Sequence, residues 1–250
     1  MKITGLYPRV RVDTSPTAAI GQAGGVLLTR TVTATGLDRF LSSALAGWRK
    51  PLAIHDPGKI ITDLALSLAM GGDCLADLAL LRSEPGVYGR VASDPTVSRA
   101  IAALAGDAPA ALKAIDTATA AARERAWQLA GRHAPDHGTD AKHPLVIDLD
   151  ATLVTSHSDK EHAAPTFKRG YGFHPLCAFV DHGPAGTGEA LAILLRPGNA
   201  GSNTATDHIT VIRQVLAQLP GQRPGRKVLV RIDGAGGTKQ LIEWLTGRRL

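Results

Sequence analysis

Two short segments limit what this chain can fold into more than any other feature. LVIDLD (145–150) and KVLVRID (227–233) are each an apolar run that closes on an acidic residue. Runs without alternation are expected of central strands buried on both faces. An aspartate at the carboxyl end of such a strand lies where ligands of open α/β sheets sit. Side chains alternate along a strand, so Asp148 and Asp150 are expected to share one face. FHPLCAFVD (173–181) and ALAILLRPG (190–198) read as further strands joined through HGPAGTG. Residues 204–219 read as a helix, with Ile209, Ile212, Leu216 and Leu219 at helical spacing and Pro220-Gly221 as its stop. GTKQLIEWLTGRR (237–249) starts another helix. The order is β-β-β-α-β-α.

Upstream the period is helical. Asp56-Pro57 is expected to open a helix to about Met70, and Asp94-Pro95 one to about Ala105, in each case with an acidic cap before a proline. Asp107, with Pro109 nearby, opens a third that Gly131 and Pro135 close. HAPDHGTDAKHP (133–144) is polar and proline-containing, as a domain boundary is. The expected organisation is an all-helical region over 1–143, followed by an α/β domain over 144–250.

The chain has 250 residues, 44% of them hydrophobic, enough for a real core. Its formal charge of +6 is spread evenly: 16 basic against 13 acidic residues precede Pro144 and 12 against 9 follow. That charge suits a polyanionic partner without requiring one. Cys74 and Cys177 cannot build a disulfide framework, so a reducing compartment is expected, with both thiols in the core. The most hydrophobic segment, 60–81, is interrupted by Asp63, Gly71, Gly72, Asp73 and Asp77. A soluble cytoplasmic protein without a membrane partner is expected.

A lone strand-end aspartate often only caps a turn. Two acidic strand ends that could lie side by side ask for a cation, because like charges would otherwise push one pKa up. Oxygen-only ligands select Mg²⁺ or Mn²⁺. DLDATLV (148–154) resembles the first motif of haloacid-dehalogenase-type phosphatases, with RIDGAGG in the place of their later acidic loop. That reading makes Asp148 a nucleophile, Asp150 a general acid and Asp233 a metal ligand.

A longer resemblance runs from LDATLVTSHSDKEHAAPTFKRGYGFHPLCAFVDH, through GEALAILLRPGNAGSNTATDHI, to VLVRIDGAGGTKQLIEWL. This stretch, about residues 145–247, resembles the DDE transposases of the insertion sequence 1380 family. SDPTVSRAIAAL, upstream, is similar to that family's N-terminal region. The resemblance implies a ribonuclease H-like catalytic core, which the strand order fits. It makes Asp150 and Asp233 catalytic metal ligands, with Asp148 as an outer neighbour. Two Mg²⁺ or Mn²⁺ ions about 4 Å apart would then activate the attacking water or 3′-hydroxyl. The partners it implies are the terminal inverted repeats of a bacterial insertion element and target DNA, with a homodimer in the synaptic complex and association with the nucleoid when DNA is bound. In that family a third carboxylate comes from a helix well downstream of the fourth strand. Glu243 is the only acidic residue after Asp233, and Leu250 is the last residue. This chain is therefore expected to be an inactive fragment on its own, with partly uncovered apolar surface on its fourth strand. A third class, a non-catalytic DNA-binding remnant, reads the ends without cutting them.

Other candidates are weaker. Thr96, Ser98 and Arg99 stand near the start of a helix, where phosphate is favoured, against the plainer role of an exposed helix face. Lys168 and Arg169 are candidates for DNA phosphates. RPGNAGSN (196–203), with Arg196, is either a phosphate cradle or a turn. His157, His162 and His174 read as solvated loop residues, and Trp127 and Trp244 as packing residues.

Overall fold

The computed structural model describes residues 5–13, 23–184, 186–201, 204–221, 228–234 and 236–250. Ala185, Ser202, Asn203, Lys227 and Ala235, which belong to the motifs above, lie outside the described residues. The chain forms two compact units, Met1–Ala126 and Trp127–Leu250.

The first unit is helical: α1 (Gly25–Thr35), α2 (Leu37–Ala44), α3 (Pro57–Ala69), α4 (Leu78–Ser83), α5 (Pro85–Tyr88), α6 (Asp94–Ala105) and most of α7 (Ala108–Ala130). Asp56 caps α3 as expected, accepting from the Lys59 amide at 3.0 Å. At α6 the cap position falls on Ser93, and Asp94 instead lies in the first turn, paired with Arg82 at 2.8 Å. The core packs Leu78, Leu81, Val87 and Val97 against Ile60 and Leu66, and a second cluster holds Leu41, Leu45, Leu104 and Ala111. Helices α2 and α3 touch backbone to backbone, since a Cβ on Gly58 would meet the Ser42 amide nitrogen at 2.3 Å.

A polar knot lies within this unit. Lys59 Nζ donates to both carboxylate oxygens of Asp63 at 2.7 Å, and Tyr7 donates its hydroxyl to Asp63 Oδ1 at 2.8 Å. The ammonium sits 4.5 Å from the Tyr7 ring centroid. Burial pushes the Asp63 carboxyl up and the Lys59 ammonium down, each opposed by the other's charge.

The second unit is built on a sheet of order β6-β5-β1-β7, formed by β1 (Leu145–Ala151), β5 (Leu176–Val180), β6 (Glu189–Leu194) and β7 (Val228–Ile232). β1 is antiparallel to β5, β5 to β6, and β1 is parallel to β7. One face carries Leu145, Ile147, Leu149, Leu176, Ala178 and Val180, all buried. Helix α8 (Ala205–Gln218) covers it with Val211, Ile212 and Val215. Full burial of each such side chain contributes about 1.5–3 kcal/mol. Helix α9 (Lys239–Arg248) packs on α8, with Leu241 fully buried.

The structure departs from the sequence reading in several further places. The units divide inside α7, not at 143/144, because the Trp127 indole donates to Glu189 Oε2 of β6 at 3.1 Å and ties the end of that helix to the sheet. The segment 173–181 is not one strand. Pro175 has no amide hydrogen to donate, and the chain turns there into a second sheet of order β2-β4-β3: β2 (Val154–Thr155), β3 (Ala164–Pro165) and β4 (Tyr171–Phe173). Cys74 is exposed, its thiol held 3.2 Å from Asp77 Oδ2, while Cys177 is half-buried. Trp244 is half-buried between two guanidinium groups, Arg213 at 5.7 Å and Arg248 at 4.8 Å, so it stacks on cations.

The polar knot gives a stability test. Asp63→Ala strands the Lys59 ammonium and is expected to cost about 3–5 kcal/mol in urea denaturation, whereas the paired change Lys59→Met with Asp63→Leu should recover most of that loss. A single variant as stable as the native chain would show that the ammonium finds other solvation.

Candidate active site

β1 alternates, with Leu145, Ile147 and Leu149 inward, and Val146, Asp148 and Asp150 on the face away from α8. β7 alternates with it: Val228 is buried, and Leu229, Arg231 and Asp233 are exposed. The parallel register pairs Asp148 with Arg231 and Leu149 with Ile232. The next residues along, Asp150 and Asp233, therefore emerge side by side at the carboxyl ends of neighbouring strands, which lie about 4.8 Å apart.

The three aspartates have different surroundings. Asp148 accepts from both Nε and Nη2 of Arg231, the latter at 2.7 Å, and Arg231 Nη2 also reaches Asp181 Oδ2 at 3.1 Å. The guanidinium is held above its usual pKa chiefly by its hydrogen bond and charge contact with Asp148. Both oxygens of Asp148 thus accept from one guanidinium, a bidentate ion pair. Asp233 Oδ1 accepts from the Gly236 amide at 3.1 Å, a turn-capping bond that uses one oxygen only. Asp150 has no hydrogen bond or ion pair among the described residues and is exposed. Cys177 is its register partner in β5; burial pushes that thiol up, Asp150 adds to the effect and Arg196 opposes it. Beneath the Asp233 turn lies buried His208 of α8, near enough that a Cβ on Gly236 would meet its Nε2 at 2.9 Å.

Exposed carboxylates on adjacent strand ends, with no arginine or lysine among the described residues paired to either, are a donor set for an oxygen-preferring divalent cation, so the residues present fit Mg²⁺ or Mn²⁺. Glu243, on α9, is exposed and lies 3.8 Å from Lys239 Nζ. The other acidic cluster, Asp73, Cys74 and Asp77, is far in sequence from these strands, and Asp77 Oδ2 is taken up by the Asp73 and Cys74 amides and the Cys74 thiol.

The remaining candidates separate into exposed and buried groups. Ser98 and Arg99 are exposed on α6, whose opposite face buries Val97 and Leu104, and Arg99 Nη2 donates to half-buried Thr96 Oγ1 at 3.0 Å. Lys168 and Arg169 stand exposed at the tip of the β3–β4 hairpin, where Thr166 and Gly170 bond each other at 2.9 and 3.0 Å and Arg169 adopts φ 61°. Phe167 beside them is 68% exposed. Arg196 is a correction to the phosphate-cradle reading: it is 4% exposed and donates inward to His174 O at 2.9 Å, Gly201 O at 3.0 Å and Asp207 Oδ2 at 3.1 Å. Its chain segment is welded to the second sheet, since a Cβ on Gly198 would lie 2.2 Å from Ala164 O and 2.5 Å from Gly172 O. His174 is likewise buried, bonded through Nδ1 to Ala200 O at 2.9 Å, while His157 stacks on Tyr171 and His162 is exposed.

Arg231, Asp181 and His208 were not singled out from the sequence, and Cys177 was read there only as a core thiol. The alternation of VLVRID, with Arg231 two residues before Asp233, was the available signal for the first.

The structure makes Gly172 the least replaceable residue of the second sheet: its φ is 152°, and a Cβ would lie 2.0 Å from Val154 O. Gly172→Ala is expected to open this sheet at a cost of about 1–3 kcal/mol and to expose 154–173 to limited proteolysis, with the four-stranded sheet intact. Unchanged protease resistance would contradict the close approach.

The family described as transposase DDE domain, group 1, matches this chain over residues 3–250. No curated protein and no solved structure matches it.

Proposed function

The chain belongs to the transposase DDE domain group 1 family, and we propose that it acts in insertion-sequence transposition, with Asp150 and Asp233 as the acidic pair that handles the DNA phosphodiester. Family membership implies DNA as the substrate and a nuclease or transposase chemistry in general. The observation that carries the residue assignment is the parallel register of β1 and β7, which brings these two carboxylates out side by side on the uncovered face. Strand order β6-β5-β1-β7, with only β1 and β7 parallel, supports a ribonuclease H-like reading of this sheet.

In this reading Asp150 and Asp233 hold a divalent ion, Mg²⁺ or Mn²⁺, and supply two of the ligands of a two-metal centre. When bound, such ions activate the attacking oxygen and stabilise the leaving one. Arg231 keeps the Asp148 and Asp181 charges from adding to the pair, so the negative potential concentrates on Asp150 and Asp233. The Gly236 amide fixes the Asp233 rotamer and leaves its other oxygen free. Arg99, Ser98 and Thr96 on α6, and Lys168 and Arg169 at the hairpin tip, are the proposed phosphate contacts on the two units. Arg196 has no part in this, because it is buried and its Nε and Nη1 donate to His174 O, Gly201 O and Asp207 Oδ2. The terminal inverted repeats as the bound DNA, the kinship to the insertion sequence 1380 group and a homodimer in the synaptic complex complete the proposal. The phosphatase alternative needs a free Asp148, and Arg231 occupies both of its oxygens.

Mn²⁺ titration followed by electron paramagnetic resonance tests the pair. Asp150→Asn and Asp233→Asn are each expected to weaken binding by at least about tenfold, and Asp148→Asn to leave it nearly unchanged, with no turnover of small phosphomonoesters in Mg²⁺. Dependence on Asp148 together with phosphomonoester hydrolysis would establish the phosphatase instead.

For DNA, Arg99→Ala is expected to lower affinity several-fold and to reduce the slope of log K against log salt by about 1. An unchanged slope would return that face of α6 to a solvated role.

A further inference from the structure

Three of the chain's ten Phe, Tyr and Trp residues fall within seven positions, Phe167, Tyr171 and Phe173, all in or beside the second sheet. Two of them are taken up by the fold. Tyr171 stacks on His157, with ring centroids 5.9 Å apart and planes 12° from parallel, and half-buried Phe173 is bridged through its backbone to Pro197. Phe167 is left over, exposed at the tip of the β3–β4 hairpin.

The tip holds this ring out rather than letting it fold down. Thr166 N donates to Gly170 O at 2.9 Å, Arg169 N to Thr166 O at 3.0 Å and Gly170 N to Thr166 Oγ1 at 3.0 Å. From the protein side the ring meets His174, with centroids 5.7 Å apart and a tilt of 51°. That imidazole is buried and bonded through Nδ1 to Ala200 O, and Arg196 Nε donates to the His174 carbonyl at 2.9 Å. Phe167 is thus an exposed ring on a fixed prop.

The residues that follow it are cations. Lys168 Nζ lies 5.7 Å from the Phe167 ring centroid, and neither Lys168 nor Arg169 has a carboxylate partner among the described residues. An aromatic ring offered beside two unpaired cations is the complement of an unstacked base and its flanking phosphates. Bases inside a duplex have both faces covered by their neighbours and present only their edges in the grooves, so the ring has no partner there. The hairpin also leaves the four-stranded sheet at the edge where the carboxylate pair emerges. β2 begins four residues after Asp150, and the Thr152 amide donates to Pro175 O at 3.2 Å at the base of the small sheet.

We propose that the hairpin tip binds single-stranded DNA, with one unpaired base stacked on Phe167 and the phosphates beside that base on Lys168 and Arg169. The assignment rests on the DNA reading given above, which uses the two cations alone, and adds to it the ring and a preference for unpaired strand.

The test measures binding of the full chain to a short DNA single strand and to the same strand annealed to its complement, by fluorescence anisotropy. Phe167→Ala is expected to lower affinity for the single strand about tenfold and to leave affinity for the duplex unchanged. Phe167→Leu, apolar but not aromatic, is expected to behave as Phe167→Ala does. Phe167→Trp is expected to restore affinity, and the indole emission it adds over the native chain should be quenched by the single strand. Single-strand affinity that survives Phe167→Ala overturns the proposal and leaves the DNA reading standing. Equal losses on single strand and duplex overturn the assignment to an unpaired base, and native affinity in Phe167→Leu overturns stacking. Binding of neither form by the native chain overturns the DNA reading and the proposal with it.

Discussion

Parallel pairing of β1 with β7 is the contact on which the second unit depends. Parallel neighbours cannot be joined by a tight turn, so the chain must leave β6, cross over through α8 and return. That crossover is what buries Ile147, Leu149 and Val180 under Val211, Ile212 and Val215. The same pairing fixes both carboxyl ends at one edge, so the burial that stabilises the sheet also sets the spacing of Asp150 and Asp233. A register slip by one residue would turn Asp233 toward α8 and Ile232 outward, at the expense of core and site together.

Charge in this chain is sorted by whether a cation has been supplied. Asp63, Asp148, Asp181 and Asp207 each have a lysine or arginine partner, with contacts at 2.7 to 3.1 Å. Asp150, Asp233 and Asp38 have none among the described residues. The uncompensated strand-end pair, Asp150 and Asp233, is where an outside cation is expected. No helix among the described residues is long and apolar enough to cross a membrane.

Much of this was readable beforehand. Long apolar runs announced β1 and β7, and Asp-Pro pairs announced the starts of α3 and, one residue off at the cap, of α6. Strand-end aspartates on neighbouring runs announced their own adjacency. The second sheet was not readable, because strands of two or three residues such as Val154–Thr155 have no period to detect. Buried His174 and Arg196 looked like solvent-facing residues because the groups that satisfy them, Ala200 and Asp207, meet them only in the folded chain. Cys74 misled for the reverse reason: thiols are usually buried, and nothing local showed that a turn holds this one outside. The end of the helical unit was misplaced by the same kind of distant contact, Trp127 to Glu189.

Gly172 and Gly198 bring four stretches of main chain into direct contact, with no side chain between them. Main-chain packing has no titratable group and no flexible tether, so neither acidity nor ionic strength changes where it holds the β3–β4 hairpin. Screening can weaken the pull of Lys168 and Arg169 on a polyanion, but it cannot move the point from which they pull. The arm thus separates reach from strength: its geometry is a constant of the fold, and only its grip varies with the medium.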